Sequence, residues 1–281
     1  MNRKIIRTVQ ARATSDGAGV NLSRVFGGRN PEQFDPFLML DEFGSDEATD
    51  YIAGFPSHPH RGFETVTYML NGRMLHEDHM GNKGLLEDGD VQWMSAARGI
   101  IHSEMPQQKE GLMRGFQLWV NLPASEKMKD PSYRDIPASD IPELDLDKVK
   151  IKVIAGDLSI ENHAIKGAVS GLSTDPTYLD IHLQADAEVS VALPDGHTTL
   201  LYVYENKVQV GDEAQILEKS SLAILTAEGN VKLKSDQPAR VILLAGKPLR
   251  EPIAQYGPFV MNTSQEIEKA IQDFRDGSLV V

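Results

Sequence analysis

FETVTYMLNGRMLHEDHM, residues 63–80, runs through alternating Thr, Val, Tyr, Met and Leu to Asn71-Gly72 and out again, and its reading sets the fold class. Alternation with a period of two is the signature of an extended strand. Asn-Gly suits a two-residue type I′ turn, whose central positions both need positive φ. The spacing therefore predicts a β-hairpin in which Leu70 faces Arg73 and Glu64 faces His79. Away from the strand ends the even positions Glu64, Val66, Tyr68 and Leu70 form the more apolar face, so that face is expected inward.

Outward from this hairpin the chain keeps the same character. Short runs of Val, Ile, Leu, Thr and Tyr bounded by Gly, Asn, Asp and Pro predict strands near 90–95, 100–105, 114–121 and 151–155. A further set is expected near 178–184, 188–193, 198–204, 207–210, 222–226, 231–234 and 240–245. Many short, evenly spaced strands point to an all-β protein built as a barrel or double-sheet jelly roll. Between the two sets, residues 122–147 carry four prolines and many charges, which predicts a connection between domains. The expected division is 1–134, a linker over 135–147, and 148–281. Only the C-terminal segment reads as a helix. Thr263 and Glu266 form a capping box, Ile267, Ala270, Ile271 and Phe274 make one stripe, and Gly277 suits the stop.

Composition narrows the function. The 281 residues are 41% hydrophobic and 25% charged, as in a water-soluble globular protein of two ordinary domains. No apolar run is long enough for a membrane span, and the N-terminus lacks the apolar core of a signal peptide. The expected location is cytoplasmic, or nuclear in a eukaryote. A net charge of −13 argues against direct nucleic-acid binding. Lys148, Lys150 and Lys152 alternate with apolar residues, as do Lys232 and Lys234, which reads as two solvated strand faces. With no cysteine, any metal must be held by nitrogen and oxygen.

Two dyads meet that requirement. Ser57-His58-Pro59-His60 and His102-Ser103-Glu104 each place two donors two residues apart, on one face of a strand. Both stand beside turn-like sequence, Gly54-Phe55-Pro56 and Arg98-Gly99. Among 8 histidines a single His-x-His is weak, and its bland reading is a turn with surface imidazoles. The second dyad, also opening a strand, makes a shared metal the better reading. Glu64 competes with Glu104 for the fourth ligand place. By the hairpin count His79 could bond Glu64, although a solvated strand face is preferred for it, and His76 is expected to point outward. His163, His182 and His197 have no same-face partners and read as ordinary histidines. Three imidazoles and a carboxylate suit a divalent first-row ion. Zinc would be saturated by four ligands, whereas octahedral iron, manganese or nickel would keep two positions open.

At these residues the sequence resembles the pirins, members of the cupin superfamily. The resemblance is carried by FDPFLMLDEF (34–43), GFPSHPHRGFETVTYML (54–70), GDVQWMSAARGIIHSEMP (89–106), LWVNLP (118–123) and PLREPIAQYGPFVMNT (248–263). It implies two cupin-type β-barrel, jelly-roll domains, with metal in the N-terminal one only. It implies His58, His60, His102 and Glu104 as the ligands, which decides for Glu104 over Glu64. It also implies one metal ion, Fe(II) first, with Mn, Ni or Zn as alternatives, and an activity of the quercetin 2,3-dioxygenase type on a flavonol-like substrate. Glu104 is then the expected catalytic proton acceptor. The rival expectation is a redox- or metal-dependent regulator that binds a transcription factor or a metabolic enzyme. A purely structural metal site ranks last.

Overall fold

A computed structural model describes residues 1–28 and 31–281. Among the described residues the fold is mostly β, with one α-helix near the C-terminus. It divides into two compact units. One comprises Arg12–Gln33, Phe37–Ala138 and Leu249–Val281; the other comprises Met1–Ala11, Phe34–Pro36 and Ser139–Pro248. This differs from a cut at residues 135–147, because each unit takes strands from a distant part of the chain.

The unit that carries both dyads has a seven-stranded and a four-stranded antiparallel sheet. The larger runs Ser132–Ile136, Val91–Ser95, Phe63–Asn71, Met113–Asn121, Phe37–Ser45, Val20–Gly27, Arg12–Asp16. The smaller runs Phe55–His60, Ile100–Pro106, Met74–Asp78, Lys83–Leu86. Leu22, Phe43, Met69 and Met113 of the first pack with Met74 and Leu86 of the second in one apolar cluster. This is the jelly-roll arrangement, two packed sheets rather than a closed barrel.

The hairpin expected at Asn71-Gly72 does not form. Strand 63–71 pairs with strands 91–95 and 113–121, whereas strand 74–78 pairs with 100–106 and 83–86 in the other sheet. Only Gly72 of the two turn residues has positive φ, so the type I′ geometry is missing. Gly72 N donates to Asp88 Oδ1 and Arg73 N to Gln108 Oε1. Distant side chains thus satisfy the turn, and the chain crosses between sheets there. Parity along 63–70 consequently says nothing about 74–80. The even face is not the cavity face either. Thr67 and Met69, both odd, look into the space between the sheets. Residues 63–69 are buried on both faces, which hides the alternation that would show the inward side.

The stretch expected as a bare connection is itself structured. Residues 132–136 pair with 91–95, and Glu143–Leu146 pairs with Val149–Ala155. Within it Lys127 is 1% exposed. Its ammonium donates to Gly62 O at 2.7 Å, Asn121 Oδ1 at 2.6 Å and Val260 O at 3.0 Å. Burial lowers its pKa to about 8.

The other unit repeats the plan. Its larger sheet runs Ile5–Gln10, Ser221–Leu225, Thr198–Glu205, Ala239–Gly246, Thr177–Leu183, Val149–Ala155, Glu143–Leu146. Its six-stranded partner contributes Val189, Val191, Val231 and Leu233 to a common core with Ile151, Ile181, Leu201 and Leu243. The N-terminal segment is anchored there by Arg3, whose guanidinium reaches Gly229 O, Thr226 O and Pro194 O. The helix spans Ser264–Arg275, with the reciprocal Thr263–Glu266 capping box and Ile267 and Ala270 buried, as the sequence predicts.

Candidate metal centre

The four-stranded sheet positions the dyads. His102 lies directly opposite His58, and Ile100 opposite His60. Directly opposed residues share a face, so both histidines of strand 55–60 and His102 converge on one side. Between His102 and Glu104 the register shifts, because Glu104 faces Phe55. Three steps on one strand thus answer two on the other. Pro56 and Pro59 supply no amide donors, which favours such a bulge on an edge strand.

The three imidazoles meet closely. Donor atoms of His58, His60 and His102 all lie within 4.8 Å of one another. His58 Nε2 and His60 Nε2 are 3.0 Å apart, and the ring centroid of His102 is 4.3 Å from that of His58 and 5.0 Å from that of His60. His58 Nδ1 is 2.8 Å from Pro56 O. A carbonyl can only accept, so Nδ1 carries a proton and Nε2 is the nitrogen turned toward His60. His102 Nε2 is buried without a hydrogen-bond partner. Burial, then the neighbouring histidines, pulls His102 well below the usual imidazole range, and burial does the same to His60. Both rings are neutral near pH 7, the state a metal requires. Three inward-facing imidazoles, with His60 and His102 held neutral and His102 Nε2 buried without a partner, fit a divalent cation.

Glu104 stands outside the 4.8 Å group, yet it is 5% exposed and lines the same cavity. The Thr67 hydroxyl donates to its Oε1 at 2.9 Å. Glu64 takes another course. Its carboxylate accepts from Trp93 Nε1 at 3.1 Å, and burial raises its pKa. It does not line the cavity. His79 is exposed and bonds the Ile101 amide rather than Glu64. The expectation for His76 is overturned. It is 0% exposed and its Nδ1 lies 3.3 Å from His102 Nδ1. The missed signal was His76-Glu77-Asp78, a third pair two residues apart, obscured by carrying parity across Gly72.

The cavity has a volume of about 750 Å³, within the range of small-molecule sites. Phe43, Phe55, Met39, Met74 and Trp119 make its apolar wall. A polar row crosses the large sheet, since Thr67 faces Gln117, Gln117 faces Asp41 and Asp41 faces Arg24. Arg24 grips Asp41 through Nε and Nη2 at 3.0 and 2.8 Å and reaches Asp16 at 3.0 Å. His163, His182 and His197 lie in the other unit. There a smaller cleft of about 380 Å³ mixes His182, Lys150, Arg240 and Glu205 without grouping three metal donors among the described residues.

Comparison with known proteins bears on what such a site does. The family model described as Pirin matches residues 19–120, and the one described as Pirin C-terminal cupin domain matches 178–280. A Pseudomonas aeruginosa protein named "Putative quercetin 2,3-dioxygenase" is 56% identical over 281 residues, covering 99% of both chains. Human pirin is 42% identical, covering 98% of this chain and 93% of its own. A crystal structure of quercetin 2,3-dioxygenase from Acinetobacter baumannii superposes with a TM-score of 0.91 at 37% identity, over 100% of both chains.

Proposed function

Because the chain belongs to the pirin family, we propose that it is a mononuclear metal protein with oxygenase activity of the quercetin 2,3-dioxygenase type. The observation that carries this reading is the convergence of three inward-facing imidazoles on one cavity large enough for a flat aromatic ligand. His58, His60 and His102 would hold the ion, with Glu104 as the fourth ligand. A divalent ion such as Fe(II) held there would supply Lewis acidity and the electron transfer that dioxygen chemistry needs.

The chain's own residues do the rest. Phe43, Phe55 and Trp119 can pack a planar flavonol-like substrate and displace water from around it. Glu104 would accept the proton of a substrate hydroxyl once its bond to the ion loosens, while the Thr67 hydroxyl stays on its Oε1. Gln117 and Asp41 add polar groups to the cavity wall.

The test is turnover. Protein loaded with Fe(II), Mn(II) or Ni(II) should consume oxygen with a flavonol and open its ring, and His102→Ala should abolish both. A wild-type protein that holds metal but leaves oxygen and flavonol unchanged with all three ions would refute the oxygenase reading.

A further inference from the structure

Beside the cluster runs a line of three side chains, Asp78, His76 and His102, and the reading above makes no use of its first two. In register, Asp78 lies opposite His102 and His76 opposite Glu104, so all share the face that carries the histidines. His102 Nδ1 is 3.3 Å from His76 Nδ1, and His76 Nε2 is 3.7 Å from Asp78 Oδ2. His76 and Asp78 side chains are both fully buried.

We infer that His76 is a positioning residue for the metal centre: its Nδ1 accepts the Nδ1 proton of His102 and thereby holds His102 in the tautomer whose Nε2 lone pair faces His58 and His60. This rests on the metal reading above and deepens it. The proton count supports the direction. Two imidazole nitrogens in hydrogen-bond contact share one proton, so one ring donates and the other accepts. If His76 donated, its own Nε2 lone pair would face the Asp78 carboxylate. His102 would then carry its proton on Nε2, inside the cluster. With His102 donating, the His76 proton sits on Nε2 and faces the carboxylate, an attraction in place of a repulsion. An imidazole ligand oriented through its other nitrogen is the usual means of fixing a metal-binding tautomer.

The line is also held from outside. Asp78 Oδ1 accepts from the amides of Met80 and Asn82 at 2.9 and 3.0 Å, and Oδ2 accepts from Asn82 Nδ2 at 2.7 Å. His76 is gripped between His102, at 5.1 Å between ring centroids, and Tyr133, stacked at 4.7 Å. Neither His76 nor its carboxylate can turn away without breaking these contacts.

The experiment compares wild type, His76→Leu and His76→Asn. Asparagine places its Oδ1 near the lost Nδ1 and can still accept, whereas leucine only fills space. Co(II) affinity is read by chelator competition, the His102 tautomer by nitrogen-15 NMR of the metal-free protein, and folding by thermal melts. Expected are a His102 Nδ1–H tautomer in wild type, a 10- to 100-fold (order of magnitude) weaker Co(II) affinity in His76→Leu, and recovery to within about threefold in His76→Asn. An unchanged affinity or unchanged tautomer in a folded His76→Leu would overturn the inference. So would an asparagine variant as weak as leucine, since His76 would then act other than as an acceptor. If wild type bound no Co(II), the metal reading would fall by itself, while the tautomers would still decide the role of His76.

Discussion

The Thr67 hydroxyl lies 2.9 Å from Glu104 Oε1 and 2.6 Å from Gln117 Oε1. One proton cannot serve two acceptors, so both contacts are satisfied when Gln117 turns its amide NH₂ toward the Thr67 oxygen. Thr67→Val keeps the shape and removes the proton that Glu104 accepts. A buried carboxylate oxygen losing its donor costs about 1–3 kcal/mol. Urea unfolding of metal-free Thr67→Val should show that loss, and Thr67→Ser should restore most of it. Equal stability of the valine variant and wild type would mean that the hydroxyl does not hold Glu104.

Acid should loosen the metal-free protein through its cluster. His60 and His102 stay neutral when folded because burial holds them well below the usual value of 6.5. Below about pH 6.5 the unfolded chain takes up protons that the folded chain refuses, so stability falls as pH falls, by up to about 1.4 kcal/mol per pH unit for each histidine. Asp41 and Glu64, raised by burial, act in the opposite sense at lower pH. The measurement is therefore a difference, wild type against a His60→Asn, His102→Asn double variant, in urea between about pH 7.5 and 5.5. Parallel pH curves would refute the assignment.

Lys127 is a third test. Its ammonium satisfies three acceptors drawn from residues 62, 121 and 260. Lys127→Met strands all of them in a buried site, a loss of about 3–5 kcal/mol. A thermal melt should fall by several degrees or more. A variant as stable as wild type would show that the clamp contributes nothing net.

Gly84 permits the Tyr133 stack on His76. A Cβ at Gly84 would stand 2.0 Å from the Tyr133 hydroxyl and 2.1 Å from Asp135 Oδ2. Gly84→Ala must push Tyr133 aside, at a cost of about 1–3 kcal/mol typical of overpacking. Urea unfolding checks the loss. Gly81→Ala is no substitute control, since its φ of +84° carries backbone strain of its own.

Much of this was legible in the sequence, for physical reasons that differ by region. Strands 149–155, 177–183, 198–205 and 239–246 bury strong Val, Ile and Leu runs between turn residues, and all were readable. Residues 5–10 and 12–16 were not, because Arg, Thr, Gln and Ser face outward there and most of those positions are exposed. Spacing alone brought His58, His60 and His102 to one reading. It offered His76 only through the pair His76-Glu77-Asp78, whose inward direction is set by sheet pairing rather than by its neighbours in sequence. Asn71-Gly72 shows the same limit, since a strong local turn signal yielded to bonds from Asp88 and Gln108. The choice between Glu64 and Glu104 also came from beyond spacing, through a family resemblance. The two carboxylates now differ in surroundings, one against Trp93 and one on the cavity wall beside Thr67.

The division of the dyad-bearing unit has a consequence for how the protein is made. A ribosome delivers the histidine strands early, yet the last segment of that unit, Leu249–Val281, comes only after the whole of the other unit's long stretch. That late segment supplies Gln255, Gly257 and Pro258 to the cavity wall, Val260 O to the Lys127 clamp, and Asp273 to Arg61, the neighbour of His60. Until it is made, the dyad-bearing unit lacks those contacts. Contacts between residues so far apart are slow to close. The motif that comes early in the chain thus belongs to a unit that is completed last.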